Sequence, residues 1–568
     1  MKKLLIAVIV FFIFLSCSEG KKEPVKETAI AKDSIYVPVK KVPFSWDAAN
    51  IYFLLTDRFN NGNNENDINF ERTDPTGPLR GFMGGDIEGI TKKIREGYFS
   101  DLGVNAIWFT PVVEQVHGGT DESTGNTYGY HGYWAKDWTA IDPNFGTREH
   151  LETMVKTAHE YGIRVLMDVV LNHTGPVTEI DEVWPDEWVR TDPTCEFTNY
   201  ENTTKCTLVD NLPDIYTASD QPVKLPDALL AKWKEEGRLS QELDELQLFF
   251  ERTGYPRAPR FYIIKWLTDY VNSLGIDGYR VDTVKHVNEN AWADLYKEAS
   301  YAFNNWKKMH PDEVLDESPF FMVGEVYGYG ISSGREYDFG DKKVDYFSHG
   351  FKSLINFELK SDAVNDYETI FKKYNKLLRS DLKGKSTVNY LTSHDDGHPY
   401  DQERTDPIKA ANILLLTPGA SQIYYGDETA RDLTIEGAED NPVQGDATLR
   451  SFMNWDELDS IPRTREILNH WRKIGSFRNN HLAIGAGRHK RLGKTPYVFS
   501  RTYIDGDFKD KVVVGLDLPK GKKSLWVKGF FGDGTKLYDT YSETEVTVSN
   551  GKVILENDNT IALLELKE

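Results

Sequence analysis

Cysteine, methionine and positive charge are all scarce in this chain. Of 568 residues only three are Cys and seven are Met, and 67 Lys and Arg face 89 Asp and Glu, a formal net charge of −22. That acid excess repels phosphate backbones and anionic lipid, which excludes nucleic acid as a partner and leaves a neutral polymer acceptable. No glycine loop with a following Lys is there to cradle phosphate: Gly84-Gly85 opens a helix without one. The apolar run at residues 4–15 falls short of the roughly 20 residues that a bilayer span needs. Of the three Cys, Cys195 and Cys206 are close enough in sequence to close a small loop. In an oxidising compartment that pair should be a disulfide, and the alternative, a metal pair, lacks neighbouring His or Cys ligands.

What is present begins with an export signal. Met1-Lys2-Lys3, the apolar run and then Cys17 have the layout of a secretory signal peptide, and Phe14-Leu15-Ser16-Cys17 resembles a bacterial lipoprotein cleavage site. Cys17 is then the lipidated residue, and residues 18–43, rich in Lys, Glu and Pro, form a disordered tether. The expected location is outside the cytoplasm, anchored by lipid in the outer membrane or otherwise periplasmic or secreted, as a monomer. Aromatics make up 12% of the chain, with 13 Trp and 29 Tyr, which suits stacking on sugar rings and equally suits core packing.

Beyond the tether, apolar runs alternate with helical stretches. Strands are predicted at residues 50–56, 105–109, 164–170, 278–281, 320–324, 344–348, 387–392 and 421–425. Between them lie helices such as 260–274, where Ile263, Leu267, Tyr270, Val271 and Leu274 recur on one buried stripe. Strand then helix eight times over predicts an α/β fold, a closed parallel (β/α)8 TIM barrel. The gap at residues 174–257 is too long for a loop and reads as an inserted domain, its second half carrying two helices. The barrel then spans residues 44–173 and 258–477, and the short alternating runs of residues 478–568 predict a C-terminal β-sandwich.

Four polar segments close apolar runs: Asp168-Val-Val-Leu-Asn172-His173, Gly278-Tyr-Arg280-Val-Asp282-Thr-Val-Lys285-His286, Val323-Gly-Glu325-Val and Leu391-Thr-Ser-His394-Asp395. Strand ends of such a barrel form its catalytic face. Cleaving a glycosidic bond needs two carboxyls in different protonation states. Arg280 lies two residues before Asp282, on the same strand face, and favours an ionised nucleophile there. Glu325 ends an apolar approach that favours a protonated acid. Asp395 is the third acid, suited to grip sugar hydroxyls.

These segments, together with Ile51-Tyr-Phe-Leu-Leu-Thr-Asp57-Arg58-Phe59, resemble the alpha-amylase family, glycoside hydrolase family 13, over roughly residues 46–470. The resemblance implies retaining endo-hydrolysis of α-1,4-glucan, with Asp282 as nucleophile, Glu325 as acid and base, and Asp395 as transition-state stabiliser. The inserted segment corresponds to the family's domain B, and the closest likeness is to periplasmic maltodextrin amylases. The resemblance further implies His173 and His394 as donors to the sugar, and Tyr133 in Tyr130-His131-Gly132-Tyr133-Trp134 as its platform with Trp134 beside it. Asp446 and Arg450 would close the far side, and Lys285 and His286 would face the leaving-group sugars. A structural Ca2+ is implied at Asn172, Asp214 and the carbonyl of His286, with Glu201 standing in for an acid usual before the second domain B cysteine. The same acids also serve transglycosylases and trehalose-forming isomerases, and a catalytically inactive sugar-binding protein is the alternative of another class.

Overall fold

In the computed structural model, which describes residues 42–439 and 441–567, eight parallel strands close into a barrel. They are β1 (Asn50–Leu54), β2 (Ala106–Phe109), β3 (Arg164–Val169), β4 (Gly278–Val281), β5 (Phe321–Gly324), β6 (Ser353–Asn356), β7 (Ser386–Asn389) and β8 (Ala420–Tyr424). Every residue in them but Arg164 is buried. Strands covered on one face by helices and on the other by barrel packing read as near-continuous apolar runs, which is why most were visible in the sequence.

The sixth strand differs from expectation. Residues 344–348 do not enter the barrel: Lys343–Val344 pairs with Tyr337–Asp338 in a small antiparallel ribbon, and Tyr346–His349 forms a 3-10 turn. The barrel strand is Ser353–Asn356, whose polar ends hid it. The Asn356 end bonds inside the wall, its Nδ2 donating to Asn389 Oδ1 at 2.8 Å.

Between β3 and the next barrel strand, Val189–Arg190 pairs with Asp214–Ile215, and Cys195 is bonded to Cys206. Helices α1 (Asp227–Glu235) and α2 (Leu239–Thr253) follow, and then α3 (Pro259–Leu274), which starts on Pro259 and stops at Gly275, φ 77°. The single apolar stripe predicted for this last helix understates it, because 12 of its 16 residues are buried. Lys265 is among them, its ammonium held at 2.7 Å by Glu245 of α2 and at 2.5 Å by Asp269. Covering helices bury the face that would otherwise meet water.

After α4 (Pro462–Asn480) come β9 (Arg488–Gly493), β10 (Tyr497–Asp505), β11 (Phe508–Leu516), β12 (Gly521–Trp526), β13 (Lys536–Asp539), β14 (Thr544–Thr547), β15 (Lys552–Asn557) and β16 (Ala562–Leu566). A six-stranded antiparallel sheet, β9-β10-β11-β16-β13-β14, is joined by the β12-β15 pair around a separate apolar core that includes Val513, Leu525, Val553 and Leu564. This is the C-terminal β-sandwich. The expected signal peptide, Cys17 and nearly all of the tether lie outside the described residues.

Candidate active site

Arg280 organises the site. Parallel pairing of β4 with β3 sets Arg280 opposite Asp168. Its Nη1 donates to Asp168 at 2.9 and 3.1 Å and to Asp282 at 2.7 Å, while Nη2 stands 3.6 Å from Glu325. Trp108 Nε1 and the Tyr133 hydroxyl also donate to Asp168, at 3.0 and 2.9 Å. A fully buried guanidinium is costly without compensating charge, and Asp168, wholly buried beside it, supplies that charge.

Asp282 and Glu325 each fall one residue beyond a strand, at the C-terminal mouth of the barrel. The chain turns sharply after Asp282: Thr283 sits in the left-handed region, φ 49°, and its N–H donates to Glu325 at 2.8 Å. Such a conformation is unfavourable for a β-branched residue and persists where the surroundings over-determine it. Burial pushes the Glu325 carboxyl up to about 8, against the lowering pull of Arg280 and with Asp282 and Asp395 adding to the rise. Asp395 is the most open of the three, with 31% of its side chain exposed, and it accepts from Ser393 Oγ at 3.2 Å. Its neighbour Asp396 is held by Lys360 and by the Tyr390 hydroxyl at 2.6 Å, which fixes the loop after β7.

Aromatic and imidazole rings wall the mouth. Tyr133 and His394 lie stacked 5.3 Å apart, and His173 Nε2 is 3.1 Å from the Tyr133 carbonyl. Burial lowers the pKa of both histidines, so both are neutral at pH 7. Arg450 pairs with Asp446 and donates from Nε to the His394 carbonyl at 2.8 Å, and Arg80 adds a contact to Asp446 at 3.5 Å.

Trp134 and His286 stand apart from this group, and Lys285 sits at its edge, close enough to Glu325 to feel its charge. Trp134 packs in a small apolar cluster with Val116 and Leu212, its ring edge-on to His131 at 4.8 Å. Lys285 donates to the Tyr327 carbonyl at 3.1 Å and the Tyr337 hydroxyl at 3.4 Å. His286 points its Nδ1 at the Thr203 carbonyl, 3.1 Å away, and burial lowers it to about 3. Conversely, Asp168, Trp108 and Thr283 belong to the site and were not identified from sequence. Only the Asp168 position at the head of a motif could have signalled it.

The implied calcium residues converge. One end of the Asn172 amide lies 3.2 Å from Asp214 Oδ1 and 3.3 Å from the His286 carbonyl. With its oxygen turned there, three oxygens face one another, an arrangement that a hard cation relieves; with its nitrogen there, the amide donates to both. The donor chemistry therefore fits Ca2+. Among the described residues no cluster of three or more His, Cys, Asp or Glu forms a metal site, because these donors are an amide, one carboxylate and a carbonyl. Glu201 does not join them: it is exposed and pairs with Lys205 at 2.7 Å, on the outer side of its short helix.

A family described as alpha amylase, catalytic domain, matches residues 53–466. The chain belongs to the alpha-amylase family. A periplasmic alpha-amylase of Escherichia coli (strain K12) is 36% identical over 533 residues, covering 83% of this chain and 72% of that one. A cyclomaltodextrin glucanotransferase of Niallia circulans is 26% identical, covering 84% of this chain and 60% of its own length. Among solved structures, an Anoxybacillus alpha-amylase overlays with a TM-score of 0.62 at 23% identity, covering 93% of this chain and 100% of that one. This member of the alpha-amylase family is a glycoside hydrolase of alpha-amylase type, acting on glycosidic bonds by hydrolysis or transfer.

Proposed function

We propose that this protein hydrolyses internal α-1,4-glucosidic bonds of starch, glycogen or maltodextrins with retention at the anomeric carbon. The observation that carries the reading is one guanidinium serving two carboxyls in unlike settings, Asp282 at 2.7 Å and Glu325 at 3.6 Å, with Glu325 raised to about 8. Glu325, protonated at neutral pH, gives its proton to the glycosidic oxygen as that bond breaks. Asp282, with Oδ1 held by Arg280, attacks the anomeric carbon through Oδ2 and forms a glycosyl ester with inversion. Glu325, now a carboxylate, takes a proton from water, which displaces Asp282 with a second inversion. Asp395 accepts hydrogen bonds from the sugar hydroxyls, Tyr133 carries the ring on its face, and neutral His173 and His394 donate to it. Asn172, Asp214 and the His286 carbonyl would hold Ca2+, which supplies a structural cross-link between β3, the inserted segment and the loop after β4.

Transfer to a sugar acceptor is a second reading, favoured by Tyr327, two residues beyond Glu325, which is 48% exposed with Phe357 packed beside it at 5.1 Å. Such a platform seats an acceptor whose hydroxyl takes the place of water. Likeness to a periplasmic amylase supports export, and Cys17 is the proposed lipid attachment point. The test is product analysis by NMR and chromatography on soluble starch and maltoheptaose. Short maltooligosaccharides released first as α anomers, and absent with Asp282→Ala, are expected. Longer or cyclic products would move the protein to transfer, and binding without turnover would make it a sugar-binding protein.

A further inference from the structure

A cavity of about 870 Å3 opens between the segment that follows β3 and helix α1. None of the acids and histidines gathered around Arg280 lines it. One wall is apolar and partly wet: Trp184 is half-buried, edge-on to Trp138 and Trp188 at 5.6 and 5.1 Å, beside Ile180 and Val183, which are 64% and 42% exposed. A concave cluster of exposed apolar side chains marks a binding surface more often than isolated ones do. The opposite wall is polar and fixed. Lys136 Nζ is 2.5 Å from Asp181, and Lys232 Nζ lies 2.6 Å from Glu114 and 2.5 Å from Asp137. The three carboxylates have side chains 2–4% exposed, whereas the two lysines are 30% and 23% exposed. Lys232 is also 3.4 Å from Glu236, so carboxylates take its three N–H groups, and Lys136 is the ammonium whose head reaches the cavity with donors to spare. An ammonium carries three N–H groups, and Asp181 takes one from Lys136, leaving donors for a ligand.

An aromatic face beside anchored hydrogen-bond donors suits a pyranose, which offers C–H groups on one face and hydroxyls around its edge. Acids outnumber bases around the rim, so an anionic ligand is disfavoured. The volume falls within the roughly 300–1,000 Å3 of ordinary ligand pockets. We propose that this cavity is a second, non-catalytic site that binds a few glucose units of the polymer, separate from the site that cleaves it. The proposal rests on the α-glucan reading above. Its function would be to hold the chain that the cleft processes, raising its local concentration.

The experiment is calorimetric titration of the Glu325→Gln protein with maltoheptaose, combined with kinetics of the otherwise intact enzyme on soluble starch and on maltotriose. Two sites are expected, reduced to one by Trp184→Ala and also by Ala231→Trp, which fills the cavity from an exposed position on α1. In the intact enzyme both substitutions should raise KM for starch about 10-fold while leaving kcat and maltotriose kinetics unchanged. Ala231 itself is exposed, so Ala231→Trp remains informative if Trp184→Ala folds poorly. Unchanged stoichiometry and unchanged starch KM in Ala231→Trp would overturn the second site. Failure of the parent enzyme to cleave maltoheptaose while it still binds would instead overturn the hydrolase reading and leave the cavity result to stand by itself.

Discussion

Arg280 brings one positive charge to three buried carboxyls, Asp168, Asp282 and Glu325. Glu325 is the farthest of the three from the guanidinium, and burial raises it to about 8. The sign of its pH dependence follows. The protonated form of Glu325, the proposed acid, prevails below about 8, so kcat/KM should fall as pH rises through that value. The protonated form is also the one that folding favours, so the stability it contributes is present at low pH and lost as pH climbs through about 8. A pH–rate profile on a chromogenic maltooligosaccharide checks this, and Glu325→Gln should lower kcat/KM by roughly 10²- to 10⁴-fold and remove the limb. An alkaline limb retained in that variant would assign it to another group. The acids were legible in the sequence because each closes an apolar run. Asp168 was not, since its partner Arg280 is 112 residues away and only strand register joins them.

Elements meet at two places where substitution gives a sharp answer. Helix α4 packs backbone to backbone against the loop before β2: a Cβ at Gly475 would stand 2.0 Å from the Leu102 carbonyl, and one at Gly103 would stand 2.2 Å from Gly475. Neither neighbour is a flexible side-chain end, so Gly475→Ala should cost about 1–3 kcal/mol in denaturant unfolding. No loss would mean that the helix slides freely. The inserted segment meets the barrel at Asn172, Asp214 and His286, where Asp214 also contacts Arg190 at 2.9 Å. Chelation should lower the melting temperature, and Ca2+ should restore it where Mg2+ does not, because Mg2+ demands a tighter octahedral shell. A melting curve indifferent to chelator would mean that the Arg190 charge suffices at this junction. Element type was legible where apolar runs were long; the sixth strand was misplaced because it begins and ends on polar residues, and Asn356 satisfies its amide inside the wall against Asn389, a contact that no local pattern announces.

For the whole molecule, the −22 charge fits a neutral polymer as substrate, and Cys17 is the proposed tie to a membrane. Cys17→Ser should move the protein from membrane to soluble fractions on cell fractionation, and retention with membranes would sink the anchor. The sequence by itself determined the barrel, the placing of three acids beyond strand ends and the Cys195–Cys206 pairing, because alternating apolar runs, polar strand ends and short Cys separation are local properties of the chain. Only the tertiary structure decided which groups share Arg280, that Trp134 packs with Val116 and Leu212, and that a cavity opens beside Trp184. Those outcomes depend on register and on packing between segments far apart in sequence, where the free energy of burying charge and apolar surface is set by neighbours that the linear order does not reveal.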